Sequence, residues 1–207
     1  MFFELFFEFF QKNIKKGLKI TPKFDIIYLT LIERLFNMLD FLLPDYYFEK
    51  FNDVTTEFLL ENNIKTLLLD VDNTLAPYEL SEPNDTILAW LSSLSENGIN
   101  FAFISNNSSD KRIKTFNQKL CAPAYAKSGK PFAKRTINLA LKTLGATKET
   151  TAFMGDQIFT DVCAGKFNGM RTILVPPIKD KKTLFFKLKR ALEKPILKRY
   201  FQKNTKR

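Results

Sequence analysis

Helical and strand-like hydrophobic patterns alternate along residues 53–175 of this 207-residue chain. Apolar residues spaced three and four positions apart predict helices, and short apolar runs between them predict buried strands. The predicted helices are 53–62, 85–97, 109–119, 131–144 and 161–168, and the predicted strands are 64–70, 99–105, 123–126, 151–155 and 171–175. This alternation, with short connections, favours an α/β fold: a parallel sheet of about five strands with helices on both faces.

Amphipathic segments flank the alternating region on both sides. Helical patterns cover residues 1–16 and 21–43, and a basic amphipathic segment covers residues 183–201, where Pro195 is expected to interrupt any helix. The chain is therefore divided into a helical N-terminal extension (1–43), an α/β domain (44–178) and a basic amphipathic C-terminal tail (179–207).

Composition excludes several kinds of chemistry. The chain contains no histidine, which removes Ser-His-Asp catalysis, histidine-ligated zinc and histidine proton shuttles. Its two cysteines, Cys121 and Cys163, lack the spacing of a zinc site or a disulfide framework, and they indicate a reducing compartment. A hydrophobic content of 45% is sufficient to build a core.

The net charge of +10 comes entirely from the C-terminal tail. Residues 179–207 hold twelve Lys and Arg against two acids, whereas the preceding 20 basic and 20 acidic residues balance. The apolar residues of the tail either enter a bilayer interface while the lysines meet anionic headgroups, or dock the tail onto the domain. These residues are Leu184, Phe185, Leu188, Leu192, Ile196 and Tyr200.

Membrane-spanning and secretion signals are not predicted. No stretch is long and apolar enough for a transmembrane helix, and residues 1–10 lack the basic start and cleavage site of a signal peptide. We therefore expect the protein in the cytoplasm, either free or bound peripherally to the inner face of the membrane.

The most informative segment is the run from Thr66 to Leu75, Thr-Leu-Leu-Leu-Asp-Val-Asp-Asn-Thr-Leu. Its apolar half predicts a buried parallel strand, and Asp70 and Asp72 follow where that strand ends. Ligands bind at the carboxyl ends of the strands in open α/β sheets. Two carboxylates this close repel each other, so they require a metal ion, a shared proton or an incoming cation.

Three further strand ends or helix starts carry candidate site residues. Ser105 and Asn106 suit either a phosphoryl oxygen or a plain helix N-cap. Lys130 precedes a proline that opens a helix, and it fits either a phosphate ligand or a solvated lysine. Asp156 directly follows a buried strand, which is hard to explain structurally, whereas Asp161 also suits a helix start.

The candidate residues form four motifs in the order D-x-D-x-T, Ser, Lys and G-D-x-x-x-x-D. This order resembles the four motifs of the haloacid dehalogenase (HAD) superfamily, whose fold is Rossmann-like. Residues 40–178 are similar to the subfamily IIIA phosphatases, and within them to the YqeG group, which is related to mitochondrial phosphatidylglycerophosphate phosphatases. The segments that carry this similarity are 42–46, 69–75, 155–162 and 169–175. The group usually has A-x-K-P where this chain has Ala126-Lys-Ser-Gly-Lys-Pro131. The lysine role is assigned to Lys130 because Pro131 follows it, with Lys127 as the alternative.

The resemblance implies the chemistry of a phosphomonoesterase. Asp70 would attack phosphorus to form an aspartyl-phosphate, and Asp72 would protonate the leaving alkoxide and then deprotonate the hydrolytic water. Lys130 would stabilise the charge on the phosphoryl oxygens. The implied substrate-binding residues are Ser105 and Asn106, together with Thr74, which would hold the nucleophile loop.

Mg²⁺ is the implied cofactor. The resemblance gives it Asp70, the main-chain carbonyl of Asp72 and Asp156 as ligands, with Asp161 as a further ligand or as the residue that supports them. An all-oxygen site that keeps water and substrate phosphate suits Mg²⁺ better than a softer metal.

The spacing between motifs leaves no room for a cap domain. Residues 75–100 and 106–128 are where larger members of the superfamily insert one, and each segment here accommodates little more than one helix. An open site suits a bulky phosphorylated substrate, and the leading hypothesis is an anionic phospholipid, phosphatidylglycerophosphate, at the membrane surface. The alternative is a phosphatase for nucleic-acid ends or phosphoproteins, with the basic tail as a substrate grip. A non-catalytic, receiver-like or scaffolding domain is the third interpretation.

Overall fold

A single parallel sheet forms the centre of the computed structural model, which describes residues 39–179 and 183–204. Its six strands are β1 (Tyr46–Tyr47), β2 (Thr66–Leu69), β3 (Asn100–Ile104), β4 (Ala124–Tyr125), β5 (Thr151–Gly155) and β6 (Arg171–Leu174). Their order across the sheet is β1-β6-β5-β2-β3-β4. The predicted fold class, an α/β fold built on a parallel sheet, is confirmed.

The strand order places the ends of β2 and β5 side by side. From β2 the chain runs outward through β3 to β4, then returns to β5 on the other side of β2 and continues to β6. Leu69 pairs with Met154, so the residues that follow these two strands emerge at the same edge of the sheet. The crevice between such diverging halves is where open α/β sheets bind ligands.

The helices agree with the hydrophobic pattern of the sequence. They are α1 (Thr56–Glu61), α2 (Asp85–Glu96), α3 (Asp110–Asn117), α4 (Lys134–Leu144), α5 (Cys163–Phe167) and α6 (Leu184–Asn204). Asn84 caps α2 by accepting a hydrogen bond from the N–H of Ile87 at 3.0 Å. Gly145 ends α4 in the left-handed conformation that glycine adopts without strain.

The central strand β2 separates two hydrophobic cores. Leu67 and Leu69 belong to one core, with residues of α1, α2 and α3, whereas Leu68 belongs to the other, with residues of α4 and α5. Successive side chains of a strand point to opposite faces of the sheet, which explains the division. All three leucines are fully buried, as expected for a central parallel strand.

The sheet has one strand more than the five that the sequence predicts. The additional strand β1 pairs with β6, with Tyr46 opposite Ile173. Asp45, just before it, accepts hydrogen bonds from the N–H and the hydroxyl of Thr172 at 2.8 and 2.9 Å. This strand precedes the alternating region, so the helix–strand alternation that indicated the equally short β4 gave no sign of it.

No cap domain is inserted into the sheet between residues 39 and 179. The connection from β2 to β3 contains α2, and the connection from β3 to β4 contains α3. The carboxyl edge of the sheet is therefore open, as the spacing of the motifs predicts.

The C-terminal helix α6 runs unbroken through Pro195, where the sequence predicts an interruption. Its inner face packs on the domain on both sides of the proline, because Glu193 and Ile196 are each only 2% exposed. These contacts explain why the helix continues. The apolar residues of its outer face are exposed, and they are Leu184, Leu188 and Leu192. Docking onto the domain therefore accounts for Ile196 but not for the three leucines.

None of the helices in the described part of the chain has the length and apolarity needed to cross a bilayer. The predicted helix over residues 1–16 lies outside the described residues. Of the predicted helix over residues 21–43, only the part from residue 39 onward is described. The helical N-terminal extension therefore stays a prediction.

Candidate active site

Polar side chains converge at the crevice between β2 and β5. Asp70 follows β2, Ser105 follows β3 and Asp156 follows β5, and each is at most 5% exposed. The cleft above them has a volume of ≈ 320 Å³, and its lining includes Asp72 and Lys130. Every site residue that the sequence predicts lies in this cleft or contacts a residue that does.

Lys130 connects the two acidic motifs. Its Nζ lies 2.6 Å from Oδ1 of Asp70 and 2.7 Å from Oδ1 of Asp161, and it also donates to the carbonyl of Ile104 at 3.0 Å. Lys127, the alternative left open by the sequence, is exposed and lies 3.8 Å from Asp110 at the surface. The structure therefore places Lys130, and not Lys127, in the site.

Asp161 reaches the cluster because Gly155 has no side chain. A Cβ atom on Gly155 would lie 2.3 Å from Cγ of Asp161, far inside van der Waals contact. Asp161 belongs to a wide, π-helical turn (Ile158–Val162), in which the N–H of Val162 bonds to the carbonyl of Gln157, five residues earlier, at 3.3 Å. The glycine is thus required for a close approach of side chain to backbone.

The loop after β2 is held by its own residues and by its neighbours. The hydroxyl of Thr74 donates to Oδ2 of Asp70 at 2.8 Å. Asp72 accepts hydrogen bonds from Nδ2 of Asn107 at 3.1 Å and from Nε of Arg112 at 3.0 Å. Both carboxylates of the D-x-D-x-T motif are therefore fixed in orientation.

Asn106 organises the segment that carries Lys130. Its Oδ1 accepts from the N–H of Lys130 at 2.8 Å and from the hydroxyl of Ser128 at 2.9 Å, and its Nδ2 donates to the carbonyl of Lys130 at 2.9 Å. The amide side chain is thus committed to positioning the lysine. A direct contact of Asn106 with substrate stays a prediction, as does that of Ser105, whose Oγ accepts from the N–H of Asn107.

Burial and neighbouring carboxylates raise the pKa of Asp70 and of Asp156. The pKa of Asp70 rises to about 7, chiefly because of burial, although Lys130 opposes the shift. Burial and the nearby Asp161 raise the pKa of Asp156 to about 6, against the lowering effect of Arg190. Burial lowers the pKa of Lys130, but the carboxylates of Asp161 and Asp70 outweigh it and leave that pKa raised. The lysine is therefore charged, and it lies between two carboxyl groups of the cluster.

The cluster fits a divalent cation. Asp70, Asp156 and Asp161 each offer a carboxylate oxygen, and these three atoms lie within 4.8 Å of one another. An all-oxygen donor set on hard carboxylates is the kind of site that binds Mg²⁺.

Several residues at the site were not found from the sequence. Arg112 lies on α3 and Arg190 on α6, where a basic residue on an amphipathic helix is ordinarily solvated. Tyr78, Gln157 and Phe186 line the cleft without belonging to any motif. The two arginines carry no signal in the local sequence, because each meets its carboxylate only through the tertiary fold.

A parallel sheet with a carboxylate and lysine cluster at its carboxyl edge is the arrangement expected of a phosphatase of the HAD type, and comparison with known proteins assigns the chain to that class. A sequence model described as mitochondrial PGP phosphatase matches residues 29–179. The chain belongs to this family, and the predicted resemblance is confirmed.

One relative supports this assignment directly. The chain is 34% identical over 157 residues to the probable phosphatase YqeG of Bacillus subtilis, a match that covers 76% of this chain and 90% of that protein. Among solved structures, it is similar to the cobalt-bound deoxy-D-mannose-octulosonate 8-phosphate phosphatase YrbI of Haemophilus influenzae, with a TM-score of 0.43 and 19% identity over 67% of this chain and 90% of that one. A hypothetical protein of Xanthomonas campestris matches with a TM-score of 0.44 and 17% identity, over 62% and 73% of the two chains.

Proposed function

We propose that the protein is a Mg²⁺-dependent phosphomonoester hydrolase that acts through an aspartyl-phosphate on Asp70. The observation that carries the proposal is the buried carboxylate of Asp70, held at the end of β2 by Lys130 at 2.6 Å and Thr74 at 2.8 Å. Its neighbours Asp156 and Asp161 complete an oxygen-donor set that fits Mg²⁺.

The first half of the reaction forms the phosphoenzyme. A carboxylate oxygen of Asp70 attacks phosphorus, and the bond from phosphorus to the ester oxygen breaks as the new bond forms. Asp72 gives its proton to the departing alkoxide. Bound Mg²⁺ would neutralise charge on the phosphoryl group, while Lys130 and the hydroxyl of Ser105 hold the phosphoryl oxygens.

The second half returns the enzyme to its starting state. Asp72, now ionised, takes a proton from water as the water oxygen attacks phosphorus. The bond from phosphorus to Asp70 breaks, which releases inorganic phosphate and the free carboxylate. Asn107 and Arg112 keep Asp72 in the same orientation for both proton transfers.

The substrate that we propose is an anionic phospholipid phosphate, phosphatidylglycerophosphate, reached from the membrane surface. The family to which the chain belongs supports the lipid, and the absence of a cap between residues 39 and 179 supports a large substrate. The protein would then be cytoplasmic and peripheral on the inner face of the membrane.

The outer face of α6 supports the membrane surface. Leu184, Leu188 and Leu192 follow one another at four-residue intervals and are 83%, 59% and 54% exposed. Exposed lysines flank this leucine stripe, and they are Lys187, Lys194 and Lys198. An apolar stripe edged with lysines suits an anionic bilayer interface, where each lysine contributes roughly 1 kcal/mol. The same helix places Phe186 in the lining of the cleft, so docking through it would bring the site close to the lipids.

Substitution of the leucine stripe tests the lipid proposal. The triple variant Leu184→Gln, Leu188→Gln, Leu192→Gln should lose binding to vesicles that contain anionic lipid, and should hydrolyse a vesicle-embedded lipid phosphate at least tenfold more slowly. Hydrolysis of soluble p-nitrophenyl phosphate should be unchanged. The control is Leu60→Gln with Leu139→Gln, since these leucines are 51% and 52% exposed on other helices.

Three outcomes would contradict parts of the lipid proposal. If the triple variant hydrolyses the lipid phosphate as fast as the wild type does, the leucine stripe has no role in lipid turnover. A preference of the wild type for soluble sugar phosphates would exclude the lipid substrate. A preference for phosphorylated nucleic-acid ends or phosphoproteins would instead indicate that the basic tail binds such substrates.

A further inference from the structure

We propose, resting on the Mg²⁺ site of the proposed function, that Arg190 and Glu193 of α6 are positioning residues that complete this site by holding Asp156. Both lie beyond residues 29–179, the region that the family model matches. Membership of the family therefore assigns no role to them, and their contacts alone carry the inference.

Arg190 holds Asp156 at two points. Its Nη1 donates to the main-chain carbonyl of Asp156 at 2.7 Å, and its Nη2 contacts Oδ2 of the same carboxylate. The other oxygen, Oδ1, accepts from Nε2 of Gln157 at 3.2 Å. A guanidinium bound to both carbonyl and carboxylate fixes the rotation of the side chain, and it leaves Oδ1 with only a long hydrogen bond.

Glu193 anchors the arginine and the turn together. Its Oε2 lies 2.7 Å from Nη1 of Arg190, and its Oε1 accepts from the N–H of Ile158 at 2.9 Å. The carboxylate is 2% exposed, and a buried charge persists only where it is paired and hydrogen-bonded. Ile158 is the first residue of the π-helical turn that leads to Asp161, so the pair contacts both Asp156 and the start of this turn.

The contacts of the pair indicate a geometric role. Arg190 brings one positive charge and Glu193 one negative charge, so together they add no net charge to the cluster. Removing Arg190 would take away the positive charge beside Asp156, which by itself favours binding of a cation, but it would also free the Asp156 side chain to rotate. Hydrogen-bond partners that orient metal ligands typically affect metal affinity by roughly 10–100-fold.

The chain that leads toward α6 is also tied to the first acidic motif. Nδ2 of Asn73 donates to the carbonyl of Lys179 at 2.7 Å, and the N–H of Ile178 donates to the carbonyl of Asn73 at 3.0 Å. The C-terminal region thus contacts the loop after β2 through residues 178 and 179, and the turn after β5 through Arg190 and Glu193. Both acidic segments are braced by residues that follow β6.

Calorimetric titration of the full-length chain with MgCl₂ tests the proposal. Arg190→Ala should raise the dissociation constant for Mg²⁺ by roughly 10–100-fold. Arg190→Lys keeps the charge but cannot make the forked contact, so it should raise the dissociation constant by a smaller factor. This variant also keeps the test valid if Arg190→Ala does not fold. Lys194→Ala, at an exposed position of the same helix, should bind Mg²⁺ as the wild type does.

A second comparison separates positioning from stability. Ile196→Ala removes a buried contact of α6 without touching Asp156, so it should lower the melting temperature and leave the Mg²⁺ dissociation constant of the folded protein unchanged. The proposal is overturned if both arginine variants bind Mg²⁺ as tightly as the wild type, or more tightly, because tighter binding would mean that Arg190 competes with the metal. Absence of Mg²⁺ binding by the wild type would overturn the proposed function as well.

Discussion

The two acidic segments of the site are held in different ways. The first acidic loop (residues 70–74) is held by its own Thr74 and by Arg112 of the helix that follows the next strand. The second acidic turn (residues 156–162) is held by Arg190, which lies 34 residues further along the chain from Asp156. The carboxylates of the first segment are therefore held by residues of the α/β domain, with Lys179 contacting only Asn73 beside them, whereas Asp156 of the second segment depends on a helix that the domain alone does not contain.

Removal of the proposed nucleophile in the first acidic loop should have the largest effect. Asp70→Asn should leave less than about 1% of wild-type phosphate release, because an amide is not a nucleophile toward phosphorus. The fold should persist, since the amide keeps the shape of the side chain. Asp53→Asn, the same change at an exposed position, is the control. Residual turnover well above this level would show that another group attacks.

The second residue of the first acidic loop should distinguish between leaving groups. Asp72→Asn should slow hydrolysis of alkyl phosphates by roughly 10²–10⁴-fold, the range for loss of a general acid–base. Hydrolysis of p-nitrophenyl phosphate should suffer less in its first step, because nitrophenolate leaves without a proton. Equal losses for both substrates in single-turnover measurements would exclude Asp72 as the acid.

A methyl group added at Gly155 should disturb the position of Asp161 in the second acidic turn. Gly155→Ala forces Asp161 away from the strand end, and we expect a loss of about 1–3 kcal/mol in the free energy of unfolding together with weaker Mg²⁺ binding. Gly98→Ala is the matched control: Gly98 has a φ of +74°, but a Cβ atom added there would meet no other atom within 4 Å. It should lose stability without any change in Mg²⁺ affinity. If the two variants bind Mg²⁺ with equal affinity in calorimetry, the close contact between Gly155 and Asp161 is not needed for the metal site.

The pH dependence of stability should involve both acidic segments. Because the pKa of Asp70 is raised to about 7 and that of Asp156 to about 6, the stability that these groups provide is present below about pH 4, their ordinary pKa, and is lost as pH rises through the raised values. The melting temperature of the metal-free protein should therefore fall between about pH 4 and pH 7.

Addition of Mg²⁺ should reverse that loss. The ion binds ionised carboxylates, so its stabilising effect should grow with pH, toward about 2.7 kcal/mol when its concentration is about a hundredfold above its dissociation constant. Thermal melts with and without Mg²⁺ at about pH 5 and pH 8, on either side of the raised pKa values, measure this. A larger Mg²⁺ effect at the lower pH would contradict the raised pKa values.

The sequence was sufficient to predict the parallel sheet and the first acidic loop. Short apolar runs between helical patterns located five strands, and the motif placed Asp70 and Asp72 at a strand end, because local patterns determine both. The strand β1 was missed because it precedes the region of alternating helices and strands. The Lys130 segment was ambiguous until the fold brought it to Asn106, which is distant in sequence and holds it.

The second acidic turn was only half predictable. Gly155 and Asp156 were recognised from the motif, but the reason for the glycine, close contact with Asp161, appears only in three dimensions. The role of α6 could not be inferred, since a basic amphipathic helix has the same pattern whether it meets lipid or a carboxylate. Its inner face meets a carboxylate through Arg190, and its leucine stripe is left exposed.

The most direct test of the central claim is to trap the phosphoenzyme. Wild-type protein mixed with a ³²P-labelled phosphomonoester and Mg²⁺, then quenched in acid within a single turnover, should carry the label on the peptide that contains Asp70, and Asp70→Asn should carry none. Asp72→Asn should retain the label for longer, because breakdown of the intermediate needs its general base. Hydrolysis by the wild type without any labelled peptide, or with the label on another residue, would contradict catalysis through an aspartyl-phosphate on Asp70.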